Sequence, residues 1–260
     1  MTTITLATHP RGTFPGEPPL VLLHAFPVDH EMWEPVAALL ADLPVLLVDA
    51  PGFGSSPIIE PTVEAAAAAL WRTLDALEVS RAVIGGLSMG GYLAMAALRA
   101  APERVAGLAL LDTKPTVDDD GARLRRLEIA RVVGETASLD PVMPMADGLL
   151  GATTRRERPE LLREVRGWIA RCSPSSIVWA QAAMAVRPCS VELLRQARGL
   201  PAAIVVGEED ALSPIPVAEE MATLLVGASF TVVPAAGHLS AVENPTAVAA
   251  ALRDLHERTN

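Results

Sequence analysis

Short apolar runs alternate with amphipathic stretches along most of the chain, and this alternation limits the possible folds more than any other feature. Leu20–Leu23, Val45–Val48, Ala82–Ile84 and Val105–Leu111 carry no polar side chain and are too short for stable helices. The pattern returns at Ala202–Val206 and Phe230–Val233, and Thr2–His9 has weak strand character. Between these runs, Met32–Ala41, Thr62–Leu77, Met89–Ala100, Pro216–Leu225 and Asn244–Glu257 have helical spacing. Strands that are apolar throughout must be covered on both faces. The expected architecture is therefore α/β, with a mostly parallel central sheet and helices on both sides. Such sheets bind ligands at the carboxyl ends of their strands, which directs attention to the loops that follow each run.

The alternation stops between about residues 116 and 199. Leu124–Val133, Pro159–Ala170 and Ser176–Ala185 are helical in period, and no convincing strand separates them. The expected organisation is a core of residues 1–115 and 200–260 with a helical lid, 116–199, inserted between two strands. This segment holds thirteen arginines and is expected to be basic over an acidic remainder. Pairs three residues apart, Arg163 with Glu160 and Arg131 with Glu128, offer the competing reading of solvated helix faces.

Composition excludes several classes. A chain of 260 residues, 50% of them hydrophobic, buries a core without disulfide or metal staples. The formal charge of −10 repels phosphate backbones, so no nucleic-acid partner is expected. Cys172 and Cys189 belong to no Cys/His cluster; they are expected to be inert buried thiols, and no metal is expected. Neither a secretory signal nor a membrane span is visible, which points to a cytoplasmic protein without a membrane partner.

The chemistry concentrates in a few loops. Gly86-Leu87-Ser88-Met89-Gly90-Gly91 fits G-x-S-x-G where a strand gives way to a helix. A serine there occupies a tight turn that lifts its hydroxyl from the sheet. Side chains two positions to either side would collide, hence Gly86 and Gly90. The helix that follows aims its N-terminal amides at the site, so the Met89 N–H is suited to hold an oxyanion. A serine hydroxyl needs a base. His238 follows the run Phe230–Val233, whereas His24 follows an early run, and His9 and His256 read as surface positions. The base needs a carboxylate, and Asp210 follows Ala202–Val206. The order Ser88, Asp210, His238 has the required sequence of nucleophile, acid and base. Glu208 and Glu209 in the same loop, and Asp112 at the end of Val105–Leu111, are rival acids.

With these residues in view, the chain resembles the α/β-hydrolase fold family, in its small bacterial esterase and 3-oxoadipate enol-lactonase-like group. The likeness rests on His24-Ala25-Phe26-Pro27 with Trp33, Asp49 to Ser56, Gly86 to Gly91, Val206 to Asp210 with Pro214, and Gly237 to Ser240 with Glu243-Asn244-Pro245. Leu150 to Thr154 and Arg158-Pro159-Glu160 carry a weaker likeness within the lid. The resemblance implies that the Phe26 N–H is the second oxyanion donor beside Met89 and that His24 holds that loop. One departure is Ala25, where relatives often have glycine.

The expected activity is a serine hydrolase cleaving a small-molecule carboxylic ester or lactone through an acyl-enzyme, with no cofactor. Trp168, Trp179 and Met184 are candidate substrate-binding residues. Alternatives are an enol-lactone hydrolase for a carboxylate-bearing substrate, a perhydrolase side activity of the same serine, and a ligand receptor on a hydrolase scaffold. A fluorophosphonate probe separates enzyme from receptor. The folded protein should be labelled at Ser88, and failure to label favours the receptor.

Overall fold

The computed structural model describes residues 5–12 and 16–259. Among these, seven strands form one sheet: β1 (Thr8–Arg11), β2 (Leu20–Leu23), β3 (Val45–Val48), β4 (Ala82–Leu87), β5 (Val105–Leu111), β6 (Ala202–Gly207) and β7 (Ser229–Val233), ordered β1-β3-β2-β4-β5-β6-β7. Only β1 runs antiparallel, on β3; the other pairs are parallel. Of the strand expected over Thr2–His9, residues 2–4 lie outside the described residues, and β1 begins at Thr8. Every residue of β2 to β6 is buried, as their unbroken apolar sequences require of a sheet covered on both faces.

The sheet sets the line of the site. β4 runs directly into the helix Met89–Ala100, which packs on β2, β4 and β5 and on the helix Val63–Ala76. That last helix starts where Thr62 accepts a hydrogen bond from the Ala65 N–H, 3.1 Å. The helix Pro245–Glu257, capped by Asn244, packs on β5, β6 and β7.

Only helices and turns lie between β5 and β6. Asp120–Thr136 packs on Pro174–Val186, burying Val133 completely. Asp118 anchors this segment at its base. Its carboxylate, 2% exposed, accepts hydrogen bonds from Arg126 Nε (2.6 Å) and from both terminal nitrogens of Arg187 (2.9 Å each), and pairs with Lys114 Nζ at 3.0 Å. Burial alone would raise the Asp118 pKa, but the arginine hydrogen bonds outweigh it and hold the carboxyl well below the usual range. Arg187 also stacks over Tyr92, 4.1 Å from the ring centre. Trp168 donates to Glu31 Oε2 and Trp179 to the Glu60 carbonyl, each at 3.1 Å, so both indoles tie the inserted helices to loops of the core.

Several expectations change. His256 is buried, bonded to the Pro18 carbonyl at 3.0 Å, and Cys189 is exposed. The inserted segment is far less basic than its arginines suggest. Eleven carboxylates lie among residues 116–199, leaving a net charge of +2 against −12 elsewhere. Arg131 pairs with both Glu128 and Glu135, whereas Arg163 forms no ion pair with Glu160. Among the described residues no helix is long and apolar enough to cross a membrane.

Two glycines test the packing. A Cβ at Gly90 would stand 2.1 Å from the Leu23 carbonyl oxygen, whereas one at Gly167, inside an inserted helix, meets nothing within 4 Å. Gly90→Ala should cost about 1–3 kcal/mol or more, and Gly167→Ala should add about 0.5–1 kcal/mol. Urea unfolding midpoints moving in the same direction for both would contradict this packing.

Candidate active site

Ser88 stands between the last residue of β4 and the first of the helix Met89–Ala100, with φ 53° and ψ −111°. Left-handed φ in a side chain other than glycine is strained and persists only where the surroundings impose it. Here the Ser88 N–H donates to the Leu111 carbonyl, 2.9 Å, and the Thr113 hydroxyl donates to the Ser88 carbonyl, 2.8 Å. Gly86 leaves the necessary room, because a Cβ there would lie 2.1 Å from the Gly90 oxygen.

His238 follows β7 and lies against Ser88, and Asp210 follows β6 and lies against His238. His238 Nε2 is 2.7 Å from Ser88 Oγ, and Nδ1 is 2.9 Å from Asp210 Oδ2. A carboxylate only accepts, so Nδ1 carries the proton and Nε2 is left to accept from the serine hydroxyl. The other Asp210 oxygen accepts from the Leu212 and Ser213 N–H groups, at 2.8 and 3.0 Å. Burial acts to lower the His238 pKa; the Asp210 hydrogen bond and the charges of Asp210, Asp112 and Glu243 outweigh it and leave the pKa raised.

The rival acids lie elsewhere. Glu208 accepts from the Ala235 N–H at 3.0 Å, and Glu209 from the Thr153 N–H at 2.8 Å. Asp112, also at φ 46°, is buried behind the site. It accepts from the Gly207 N–H at 2.7 Å and is bonded to the Ser240 hydroxyl, joining the loops that carry Asp210 and His238. Burial and the charge of Asp210 push its pKa upward. Glu243 accepts from the N–H groups of Gly237 and Gly151, 2.8 Å each, and so braces the His238 loop against the inserted segment.

The Phe26 loop is shaped by His24, which is wholly buried. Its Nδ1 donates to the Ala25 carbonyl, 2.8 Å, and its Nε2 accepts from the Ala50 N–H, 2.9 Å. Burial lowers its pKa, in keeping with this neutral form. Ala25 is not among the residues with positive φ, which explains why glycine is unnecessary there. Met89, as the first helical residue, has no intrahelical acceptor for its N–H.

Ser88, His238 and Phe26 line a cavity of about 490 Å³. Met184 lines it as well, but Trp168 and Trp179 do not: these two indoles are buried at the contacts with Glu31 and Glu60 described above. In their place the structure brings Tyr92, Lys114, Asp118, Arg125, Arg126 and Gln181 to the wall. The sequence reading missed this polar group. Lys114 carried a usable signal, since it is the only lysine and stands three residues beyond the end of β5, two after Asp112. None of the cavity residues belongs to the cluster of donors spaced for a metal ion, which is His9, His30 and Asp49.

This elbow, sheet and loop order define a class. The chain matches the model of the "Alpha/beta hydrolase family" over residues 20–251, and it belongs to that family. Among solved structures it is similar to a thermophilic esterase from Thermogutta terrifontis, determined with malate bound. Identity is 35% and the TM-score 0.89, covering 98% of this chain and 93% of that one. It is also similar to the biotin biosynthesis bifunctional protein BioHC of Cellvibrio japonicus (strain Ueda107), 29% identical over 92% of this chain. The chain spans 48% of that protein's length. The enol-lactonase from Burkholderia xenovorans LB400 shares the fold, with TM-score 0.84 at 24% identity and coverage of 96% and 95%.

Histidine NMR tests the electrostatics of the site. The His238 ring should titrate above the ordinary 6.5, and Asp210→Asn should lower its pKa. A wild-type pKa below 6.5, or one unmoved by Asp210→Asn, would contradict the arrangement.

Proposed function

We propose that this α/β-hydrolase is a serine hydrolase that cleaves a small-molecule carboxylic ester or lactone. The single observation that best supports the reading is the hydrogen-bonded series from Ser88 Oγ through His238 to Asp210 at 2.7 and 2.9 Å. In the proposed reaction His238 Nε2 takes the hydroxyl proton as Ser88 attacks the carbonyl carbon, while Asp210 orients the ring and stabilises the imidazolium. The Phe26 and Met89 N–H groups hold the oxyanion, an interaction whose loss costs about 10²–10³ in rate per donor. The imidazolium then protonates the leaving alkoxide, the acyl group stays on Ser88, and His238 activates water to release it. No step draws on a metal or an organic cofactor. The inserted helices act as a lid over the cavity, and a cytoplasmic site of action belongs to the same reading. A receptor reading has less support, because a binding protein gains nothing from a strained serine facing a histidine.

The kinetic test compares three substitutions. Ser88→Ala should abolish turnover of p-nitrophenyl esters, and Asp210→Asn should lower kcat by about 10³–10⁴. Asp112→Asn should be mild. Reversed effects for the two aspartates would move the acid to the end of β5, and near-wild-type turnover by Ser88→Ala would remove the nucleophile.

A carboxylate-bearing ester or enol-lactone is the second reading, and one cavity residue favours it. A net charge of +2 is too weak to steer anions by itself, but it does not describe the cavity wall. Asp118 is shared by Lys114, Arg126 and Arg187, while Arg125 lines the cavity with no hydrogen bond or ion pair among the described residues. The Thermogutta esterase was solved with a dicarboxylate, malate. On this reading kcat/KM for a carboxylate-bearing ester exceeds that of its neutral isostere, and the advantage shrinks as salt screens the charge. Arg125→Ala should lower that advantage about tenfold, equivalent to about 1.4 kcal/mol. Equal values for both substrates at low ionic strength would leave a neutral-ester hydrolase.

A further inference from the structure

The Phe26 loop runs from the end of β2 at Leu23 to the short helical turn His30–Trp33. The Phe26 N–H donates to no acceptor among the described residues, which leaves it free for an oxyanion. Such a donor acts only where it is held in place beforehand, so whatever fixes the loop fixes the hole. Two adjacent residues directly after β3, Asp49 and Ala50, hold the loop at both ends. At its start, the Ala50 N–H donates to His24 Nε2 at 2.9 Å. At its far end, Asp49 Oδ1 accepts from the His30 backbone N–H at 3.0 Å, and the two carboxylate oxygens lie 2.9 and 3.0 Å from His30 Nδ1. Main chain and ring of one residue are thus bonded to one carboxylate. Between these anchors the loop adds only the turn from the Val28 N–H to the Ala25 carbonyl, 3.2 Å, the His24 Nδ1 bond to that same carbonyl, and a contact of the Ala25 N–H with Met32 Sδ at 3.2 Å.

Asp49 is itself fixed by the sheet. Its N–H donates to the Ala7 carbonyl at 3.1 Å, and its own carbonyl accepts from the Ser56 hydroxyl at 2.7 Å. Its carboxylate is completely buried, and Oδ2 accepts from His9 Nε2 on β1 at 2.9 Å. Gly54 packs so closely behind it that a Cβ there would fall 2.1 Å from Oδ2. Among the described residues no lysine or arginine pairs with Asp49; its ion-pair partners are His9 and His30. A buried charge is a costly way to join two segments. What it adds here is a set of hydrogen bonds aimed at one residue, which a neutral side chain of this size does not supply.

We propose that Asp49, acting through His30, is a positioning residue for the oxyanion hole: it holds the far end of the Phe26 loop while the neighbouring Ala50 N–H holds the near end. Asp49, Ala50, His24 and His30 do not line the cavity, so the effect reaches the substrate only through the Phe26 N–H. The inference rests on the hydrolase reading and deepens it. The oxyanion exists only along the reaction path, so a slackened loop costs rate and leaves ground-state binding alone.

The test compares His30→Ala with His9→Ala in the whole protein. Each removes one ring's bond to Asp49 and the stack between the two imidazoles, whose centroids are 3.4 Å apart, but only His30 ends the Phe26 loop. His30→Ala should lower kcat for p-nitrophenyl esters about tenfold. It should weaken by the same factor a trifluoromethyl ketone, which forms a tetrahedral adduct on Ser88, and leave unchanged the plain methyl ketone, which binds without an adduct. His9→Ala should leave all three near wild type whatever its Tm. His30→Asn, whose side-chain amide presents an N–H where Nδ1 stood, should recover most of the rate. Hydrogen exchange in the peptide spanning residues 24–30 reads the loop without activity, and should be faster in His30→Ala than in His9→Ala. Equal loss of kcat in the two alanine variants, or full kcat in His30→Ala, would overturn the positioning role and leave the hydrolase reading standing. Exchange unchanged by His30→Ala would overturn the anchoring of the loop. A wild-type protein that turns over no ester and is not labelled at Ser88 would instead remove the hydrolase reading, and the oxyanion role with it.

Discussion

The near-contact between the helix Met89–Ala100 and the end of β2 is the constraint from which the site's geometry follows. At Gly90 the helix backbone comes so close to the Leu23 carbonyl that no side chain fits between them. That approach is possible only if the chain turns at once from strand to helix, and the turn forces Ser88 to φ 53°. The strain is borne by the core around it. The hydrogen bond from the Ser88 N–H to Leu111 and that from the Thr113 hydroxyl to Ser88 attach the elbow to β5 and its loop. Buried parallel strands provide the rigid frame such an attachment needs.

The loops at the carboxyl ends of β5, β6 and β7 are joined by buried carboxylates. Asp112 connects Gly207 to Ser240, and Glu243 connects Gly237 to Gly151. Each carboxylate in this group is bonded, so burial shifts its titration without leaving it unpaired. The negative charge of Asp210, Asp112 and Glu243 raises the pKa of the one imidazole they surround. The inserted helices are held by a different set of contacts, the four-way cluster on Asp118 and the two indole hydrogen bonds.

Legibility in the sequence followed the range of the interactions. Strands β2 to β6 were readable because complete burial leaves an unbroken apolar run. The turn at Ser88 was readable because its crowding demands glycine at fixed offsets. Asp210 and His238 could be named because each follows a strand. The role of Asp112 as a link between loops could not, since Ser240 lies 128 residues away. The cavity wall was hidden for the same reason. Trp168 and Trp179 have the composition of pocket residues, but an indole N–H needs an acceptor, and theirs lie at Glu31 and Glu60, away from the cavity. His9 and His256 look alike in the sequence as isolated histidines; only the fold sets one against Asp49 and buries the other.

The central claim is that Ser88 carries the acyl group between the two halves of an ester cleavage. Rapid quenching of wild-type protein mixed with a p-nitrophenyl ester, followed by intact and peptide mass measurement, tests it most directly. The account predicts a burst of nitrophenol approaching one equivalent and an acyl adduct confined to the peptide that contains Ser88. Steady turnover with no adduct, or an adduct on another residue, would contradict it.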